Sequence, residues 1–337
     1  MLGIFGYAVK GTTPEPAYHS LLALFCRTRG LSNDLLHTVV RVFHPCYRLR
    51  PAQGALGNLS PSDLETAVGA LRQNGFYVFP KQLSAETCGR LTEIALRTPC
   101  HVNRGGNSSE RRLYEWERPL AEQYMLPEGE LINEPAVQEL MADPSLLTVA
   151  QAYLRNGPIL DIVAMWWSTP FSKQPNTEAA QLYHFDMDRI KWLKFFFYLT
   201  DVTSVTGPHC FIRGTHRRFS QPAQLLNRGY TRIADQDLAP FYAADQFVEI
   251  CGPRGTIVAV DTRGFHKGKP PETTHRLVLQ FEYCDTLFGG GFTKSELVPQ
   301  ANTLLSTAVE QYPRLFSKFT IGPVSSSGSR IRSADEF

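Results

Sequence analysis

The apolar positions of this sequence change period part-way along the chain. In the first hundred residues they recur at helical spacing. Leu21 to Cys26 and Leu35 to Val42 form short helical stretches. Ser60-Pro61-Ser62-Asp63 is a good helix start, with proline in the first turn. Leu64, Val68 and Leu71 then share one face, and Gly75 ends the helix. Phe76 to Phe79 reads as a short strand. Ser84 predicts the cap of a second helix running to about Arg97, with Leu91 and Ala95 on one face. Arg50 to Ser60, with Pro51, Gly54 and Gly57, reads as a linker. His101 to Arg118 is polar, glycine-rich and charged with both signs, and reads as a solvated loop or, functionally, a lid.

From Ile159 onward the texture changes to strand-length runs. Ile159 to Trp167, Gln181 to Asp186, Trp192 to Leu199, Phe247 to Cys251, Thr256 to Val260 and Arg276 to Tyr283 all fit strand composition. Turn residues separate them, and helical spacing is sparse. That argues against alternating βα units and for an antiparallel sandwich or barrel. The expected layout is an N-terminal helical extension over 1–60, a core domain over 61–290 and a C-terminal extension over 291–337. Val324 to Phe337 is serine-rich and reads as a frayed tail.

Composition narrows the function without naming it. The 337 residues are 43% hydrophobic and 20% charged, which excludes wholesale disorder, a collagen-like repeat and a coiled coil. The net charge of +2 argues against nucleic acid as a partner. Seven cysteines without a CxxC pair point away from zinc or a disulfide framework and toward a reducing compartment. The longest apolar runs, such as Phe195 to Leu199, are far too short to cross a membrane. The first residues have no basic segment ahead of an apolar run, so no signal peptide is expected. A cytoplasmic protein follows as the expectation.

The candidate chemistry sits in the strand-rich half. In Tyr183-His184-Phe185-Asp186, residues two apart on a strand point to the same face. His184 and Asp186 can therefore grip one ion, although the pair alone is common by chance. His266, just past the strand ending at Val260, adds a second imidazole. Two imidazoles and one carboxylate cover one face of an octahedron and leave three positions open, the arrangement of non-haem Fe(II) oxygenases. Arg276 follows ten residues later and opens an apolar strand. A guanidinium pointing into a jelly-roll interior needs an anion, and its planar fork suits a carboxylate.

The ordered set resembles the phytanoyl-CoA dioxygenase family of Fe(II)/2-oxoglutarate oxygenases. The family entry L-x-x-x-G-[FY]-x-V-[FL] is matched by Leu71 to Phe79, and its L-T-D-V by Leu199 to Val202. The family's N-G-P-L and P-G-S-H correspond to Thr206-Gly207-Pro208-His209 and Arg213-Gly214-Thr215-His216. The closing H-x-G and arginine are His266, Gly268 and Arg276. The resemblance spans roughly Leu71 to Cys284. The chain departs from the pattern at His209 for leucine, at Arg213 and Thr215, and at Gly268 where many relatives carry serine or asparagine.

The resemblance implies a double-stranded β-helix (jelly-roll, cupin-like) core, mainly β with flanking helices. It implies Fe(II) held by His184, Asp186 and His266, 2-oxoglutarate as cosubstrate with Arg276 on its distal carboxylate, and O2. The implied reaction is hydroxylation of an unactivated C–H bond of a small organic molecule, with succinate and CO2 as co-products. Lys194 or Tyr198 is a further candidate for the oxoglutarate, with a solvent-directed Lys194 as the alternative. Trp166, Tyr183 and Gln280 are the candidate substrate-pocket residues. His216 is read as structural, and His209 and His275 as surface or loop histidines. A cosubstrate-free cupin-type metalloenzyme and a non-catalytic metal-binding relative are the competing readings.

Overall fold

The computed structural model describes residues 7, 11–49, 53–103, 110–172 and 179–325. The middle of the 101–118 segment, the start of the 50–60 segment and residues 326–337 of the tail lie outside them.

Local sequence accounts for the helices that flank the core. They are α1 (Glu15–Thr28), α2 (Leu31–Phe43), α3 (Pro61–Asn74), α4 (Ala85–Arg97), α5 (Pro135–Met141), α6 (Pro144–Leu154) and α7 (Leu304–Gln311). Helix α3 begins with a capping box: Ser60 accepts from the Asp63 amide while Asp63 accepts from Ser60. It ends at Gly75, whose φ of 92° is the left-handed C-cap geometry that suits glycine. A side chain at 75 would also meet the Phe211 ring at 2.6 Å. Ser84 caps α4 through the Thr87 amide, and Leu91 and Ala95 are fully buried.

Eleven strands build two sheets. They are β1 (Phe76–Val78), β2 (Cys100–Asn103), β3 (Arg111–Arg112), β4 (Gln123–Met125), β5 (Ile159–Ser168), β6 (Trp192–Tyr198), β7 (His209–Ile212), β8 (Phe247–Ile250), β9 (Ile257–Val260), β10 (His266–Gly268) and β11 (Arg276–Cys284). The larger sheet is ordered β1-β9-β6-β11-β5-β4-β2-β3 and is antiparallel throughout. The smaller sheet is β8-β7-β10, also antiparallel. This is the expected β architecture with flanking helices, a jelly-roll core.

Alternation along β6 and β11 assigns the layers. Phe195, Phe197, Leu277, Leu279 and Phe281 join the core packed under the helices. Phe196, Tyr198 and Val278 face the smaller sheet and pack with Phe211 and Ile250. A third cluster joins Leu21 and Phe25 of α1 to Phe185 and Phe265, with Phe25 and Phe185 stacked at 5.3 Å. Helix α2 adds polar anchors. Asn33 donates to the Ile190 carbonyl at 2.9 Å, and His37 Nδ1 lies 2.8 Å from the Asp285 carboxylate.

Three local expectations need correction. Residues 181–186 are not a strand: Tyr183 and His184 each form one isolated bridge, to Ile233 and His266. The chain leaves the ladder there because the Asp186 amide turns to the Thr262 carbonyl at 2.8 Å. Residues 101–118 are not simply a loop, since β2 and β3 pair at the edge of the larger sheet. The buried Cys100 and Val102 alternate into the core, and Tyr114 stacks on Trp167 at 4.1 Å. Residues 53–58 are not a free linker but a small hairpin, held where the Ala55 and Leu56 amides donate to Asp143 and Ser145. Among the described residues no helix is long and apolar enough to cross a membrane.

Candidate active site

The space between the two sheets gathers His184, Asp186 and His266, whose potential ligand atoms all lie within 4.8 Å of one another. His184 and His266 are bridge partners and exchange backbone hydrogen bonds at 2.9 and 2.8 Å. Their rings stand 4.3 Å apart between centroids. Asp186 approaches both: Oδ1 is 3.5 Å from His184 Nε2 and Oδ2 is 3.4 Å from His266 Nε2. The His266 loop is fixed by hydrogen bonds from the Phe265 amide to Thr215 Oγ1 and from Gln221 to the Arg263 carbonyl.

Both rings have their outer nitrogen occupied. His184 Nδ1 sits 2.9 Å from the Leu182 carbonyl, and His266 Nδ1 sits 2.9 Å from the Gly264 carbonyl. A carbonyl oxygen only accepts, so each Nδ1 carries a proton, and each Nε2 is the atom turned toward Asp186. Burial, then the neighbouring His266, pushes His184 down to about 3, so its ring is neutral as a metal ligand must be. Burial alone would raise Asp186, but Lys194 and then His266 outweigh it and hold the carboxyl well below the usual range. Two imidazoles and one ionised carboxylate on one side of a buried gap are a donor set that fits ferrous iron.

Lys194 stands behind this carboxylate. Its ammonium lies 2.7 Å from Asp186 Oδ2, 3.0 Å from Asp188 Oδ2 and 3.3 Å from Glu282 Oε2. Burial would lower its pKa, yet Asp186, Asp188 and Glu282 raise it well above the ordinary value. Lys194 therefore turns inward and not to solvent. Glu282 is fully buried with neither oxygen hydrogen-bonded, and burial raises its carboxyl well above the usual range.

Arg276 lies at the other end of the same inward row, Arg276-Val278-Gln280-Glu282. Its Nη1 donates to the Gly207 carbonyl and Nη2 to Ser168 Oγ at 3.1 Å, while Nε is buried with no partner. Burial lowers its pKa, and no carboxylate offsets that. Gly268 leaves room beside it, because a Cβ there would stand 3.5 Å from Nη2. A buried guanidinium with spare N–H capacity fits the carboxylate of a bound dianion.

The remaining predicted residues scatter. Tyr198 points inward, but its hydroxyl donates to the Ile250 carbonyl at 2.8 Å. Gln280 sits on the inner face opposite Phe196 and Ala164. Trp166 faces the same space edge-on to Phe196, whereas Trp167 is buried beneath α4 and donates to the Ala95 carbonyl. Tyr183 points away from the metal-ligand candidates, under the Lys267 ammonium at 4.7 Å and against Phe247. A groove of about 580 Å³ opens beside Asp188, with Ile162, Ala164 and Gly290 on its walls. Its walls include none of the expected Trp166, Tyr183 and Gln280, although His101, which begins the segment read as a loop or lid, does contribute.

Two histidines expected at the surface are buried. His275 packs against Trp116 at 4.5 Å. His209 lies between Phe196 at 4.8 Å and His266 at 5.4 Å, with Nε2 buried and without a partner. Burial, then the neighbouring His266 and Arg276, holds it well below the ordinary histidine value. The signal for it was its place one residue after Gly207-Pro208, where the family pattern has an apolar residue.

A family model described as Phytanoyl-CoA dioxygenase (PhyH) matches residues 71–277, more than half of the chain. No curated protein matches the sequence. Among solved structures, the chain is similar to SnoN, the non-heme alpha ketoglutarate dependent epimerase from nogalamycin biosynthesis. Identity is 17%, coverage is 67% of this chain and 84% of that one, and the TM-score is 0.47. It is similar to EctD from S. alaskensis, at 18% identity, 83% and 93% coverage and a TM-score of 0.47. It is also similar to HygX from Streptomyces hygroscopicus, solved with nickel and 2-oxoglutarate bound, at 15% identity, 73% and 92% coverage and a TM-score of 0.46.

Proposed function

Because the chain belongs to the phytanoyl-CoA dioxygenase family and is an Fe(II)/2-oxoglutarate-dependent oxygenase, we propose that it hydroxylates an unactivated C–H bond of a small organic molecule. The observation that carries this reading is Arg276, a buried cation aimed into the site beside the His-Asp-His set with no acid to pair it. A metalloenzyme that needs no cosubstrate has no use for such a group.

His184, Asp186 and His266 would hold the iron, and Arg276 would receive the distal carboxylate of 2-oxoglutarate. Iron and cosubstrate together supply the oxidising chemistry that couples O2 reduction and oxoglutarate decarboxylation to C–H oxidation. The protein's share is orientation and exclusion of water. The Leu182 and Gly264 carbonyls fix the two imidazole tautomers. Lys194 keeps Asp186 ionised and fixes its direction. Phe196, Val278 and Val260 keep the space next to the gap apolar. An intact Asp186, in place of a small residue that would admit halide, favours hydroxylation. The groove beside Asp188 offers the organic substrate its approach. All seven cysteines are free thiols, which fits work in a reducing cytoplasm.

The test is anaerobic titration of the apoprotein with Fe(II) and then 2-oxoglutarate, following the weak visible metal-to-ligand charge-transfer band. The band is expected in the wild type and absent in His184→Ala and Arg276→Ala. Stoichiometric Fe(II) binding without a band would overturn the cosubstrate assignment.

A further inference from the structure

The row of inward side chains does not stop at His184. Tyr183 and Ile233 exchange backbone hydrogen bonds of 3.0 and 2.7 Å as antiparallel partners. In that pairing residue 232 lies across from residue 184, and both side chains leave on the face opposite Tyr183 and Ile233. Arg232 therefore flanks His184 on the side away from His266.

Arg232 is held but not satisfied. Its guanidinium carbon lies 5.7 Å from the Tyr230 ring centroid, an orienting cation–π contact. Nη1 is buried with no hydrogen-bond partner. Two buried arginines of the same core are treated differently. Arg189 has both oxygens of Asp161, at 2.6 and 2.9 Å, and Arg263 has Asp261 at 2.6 Å. Asp186 and Asp188 are both taken by Lys194, at 2.7 and 3.0 Å. An unmet N–H on a cation is expensive in a finished fold, and it persists where a ligand completes it.

Two guanidiniums with one unmet N–H group each thus stand near the metal-ligand candidates. Arg276 lies beyond Gly268, and Arg232 lies beyond His184. The first is accounted for by the cosubstrate, and on that reading the second is left for the organic substrate. We infer that Arg232 receives an anionic group of the substrate, a carboxylate or a phosphate, and so fixes which end of the molecule faces the metal. The guanidinium fork matches either group through two parallel hydrogen bonds. A neutral amide of the same shape leaves Nη1 facing a second donor or a weaker acceptor, so the site discriminates by charge.

The experiment uses the full chain under anaerobic Fe(II) with saturating 2-oxoglutarate, so that Arg276 is occupied. Acetate is titrated in one arm, methyl phosphate in a second and acetamide in a third, with sodium chloride holding ionic strength constant. The readout is the unfolding midpoint, which rises saturably when a ligand binds the native state. A saturable rise is expected with one of the two anions and none with acetamide. The apparent Kd for that anion should weaken at least tenfold in Arg232→Gln and less in Arg232→Lys, which keeps the charge without the fork. No saturable rise with either anion, or the same rise in Arg232→Gln as in the wild type, overturns the inference. The charge-transfer band of the same wild-type sample reports on the cosubstrate separately. A band without an Arg232-dependent rise sinks this inference alone. A rise without a band keeps the anion site and sinks the cosubstrate assignment.

Discussion

Strands β6 and β11 each have two faces, and the faces are built by opposite rules. Toward the helices point Phe195, Phe197, Leu277, Leu279 and Phe281, all buried in one apolar core. The buried, unpaired Tyr283 hydroxyl is an exception on that face. Toward the smaller sheet point Lys194, Phe196 and Tyr198 from β6 and Arg276, Val278, Gln280 and Glu282 from β11. That second face holds a lysine among three acids, an arginine with a free Nε and a glutamate whose oxygens accept no hydrogen bond. Each unmet buried polar group costs about 1–3 kcal/mol. Folding alone would not choose such a face. It persists because the opposite face of the same strands buries enough apolar area to outweigh it.

The comparison is broken most forcefully by exchanging what the two faces are for. Phe197→Ala leaves a cavity in the helix-side core and is expected to cost about 3–5 kcal/mol in chemical denaturation. Iron bound per folded molecule should stay at the wild-type ratio. Arg276→Gln is expected to do the reverse. It removes a buried cation that has no acid, so the unfolding midpoint of the ligand-free protein should hold or rise. Affinity for 2-oxoglutarate, read from the charge-transfer titration, should fall by about a hundredfold or more, the scale for losing one partner of a buried charge pair. If Arg276→Gln unfolds the protein as Phe197→Ala does, the division of labour between the faces is wrong.

Much of this division was legible in the sequence. Period-two alternation on β6 and β11 assigns every side chain to a face, and Arg276, Val278 and Gln280 fall on the expected one. His184 and His266 meet because their segments are bridge partners, which motif spacing anticipates even though 181–186 is not a regular strand. What stayed hidden are contacts made across layers. Alternation shows that Lys194 leaves on one face, but not that three acids from two other segments wait there. Only the apolar residue of the family pattern at that place hints that His209 is buried, because the wall that covers it is Phe196 on another strand. His101 to Arg118 looked solvated because its charges outnumber the few residues, Val102 and Tyr114, that tie it to the sheet.

A smaller effect tests the seam between the faces. His216 sits against the end of α3, where its Nε2–H donates to the Arg72 carbonyl at 3.1 Å and Nδ1 is buried with no partner. Burial pushes it down to about 4 from an ordinary value of 6.5. Between those values the unfolded chain binds the proton and the folded one does not. Stability is therefore complete above about pH 6.5 and is lost as pH falls toward about 4. The loss amounts to at most about 3 kcal/mol at 1.36 kcal/mol per unit. Denaturant midpoints of His216→Gln between pH 7 and 4 should fall less steeply than those of the wild type. An unchanged slope would remove His216 from the acid response.

The smallest effect is the sharpest test of the comparison, because its sign is reversed. His209 occupies the inner face like an ordinary core ring, packed between Phe196 and His266. Were it there for packing, replacing it would destabilise the fold as Phe197→Ala does. Its Nε2, however, is buried with no acceptor or donor, so the ring carries a desolvated polar atom that folding has not repaid. Leucine nearly fills the same volume and carries no such atom. His209→Leu is therefore expected to stabilise the ligand-free protein by about 1 kcal/mol. For a chain of this length that is a rise of about 1–2 °C in the unfolding midpoint. The gain should shrink once Fe(II) and 2-oxoglutarate are added, because a ligand in the gap between the triad and Arg276 can complete Nε2 in the wild type and not in the variant. A fall in the ligand-free midpoint would show that the inner face is packed for stability after all, and the contrast between the two faces would reduce to one of residue type.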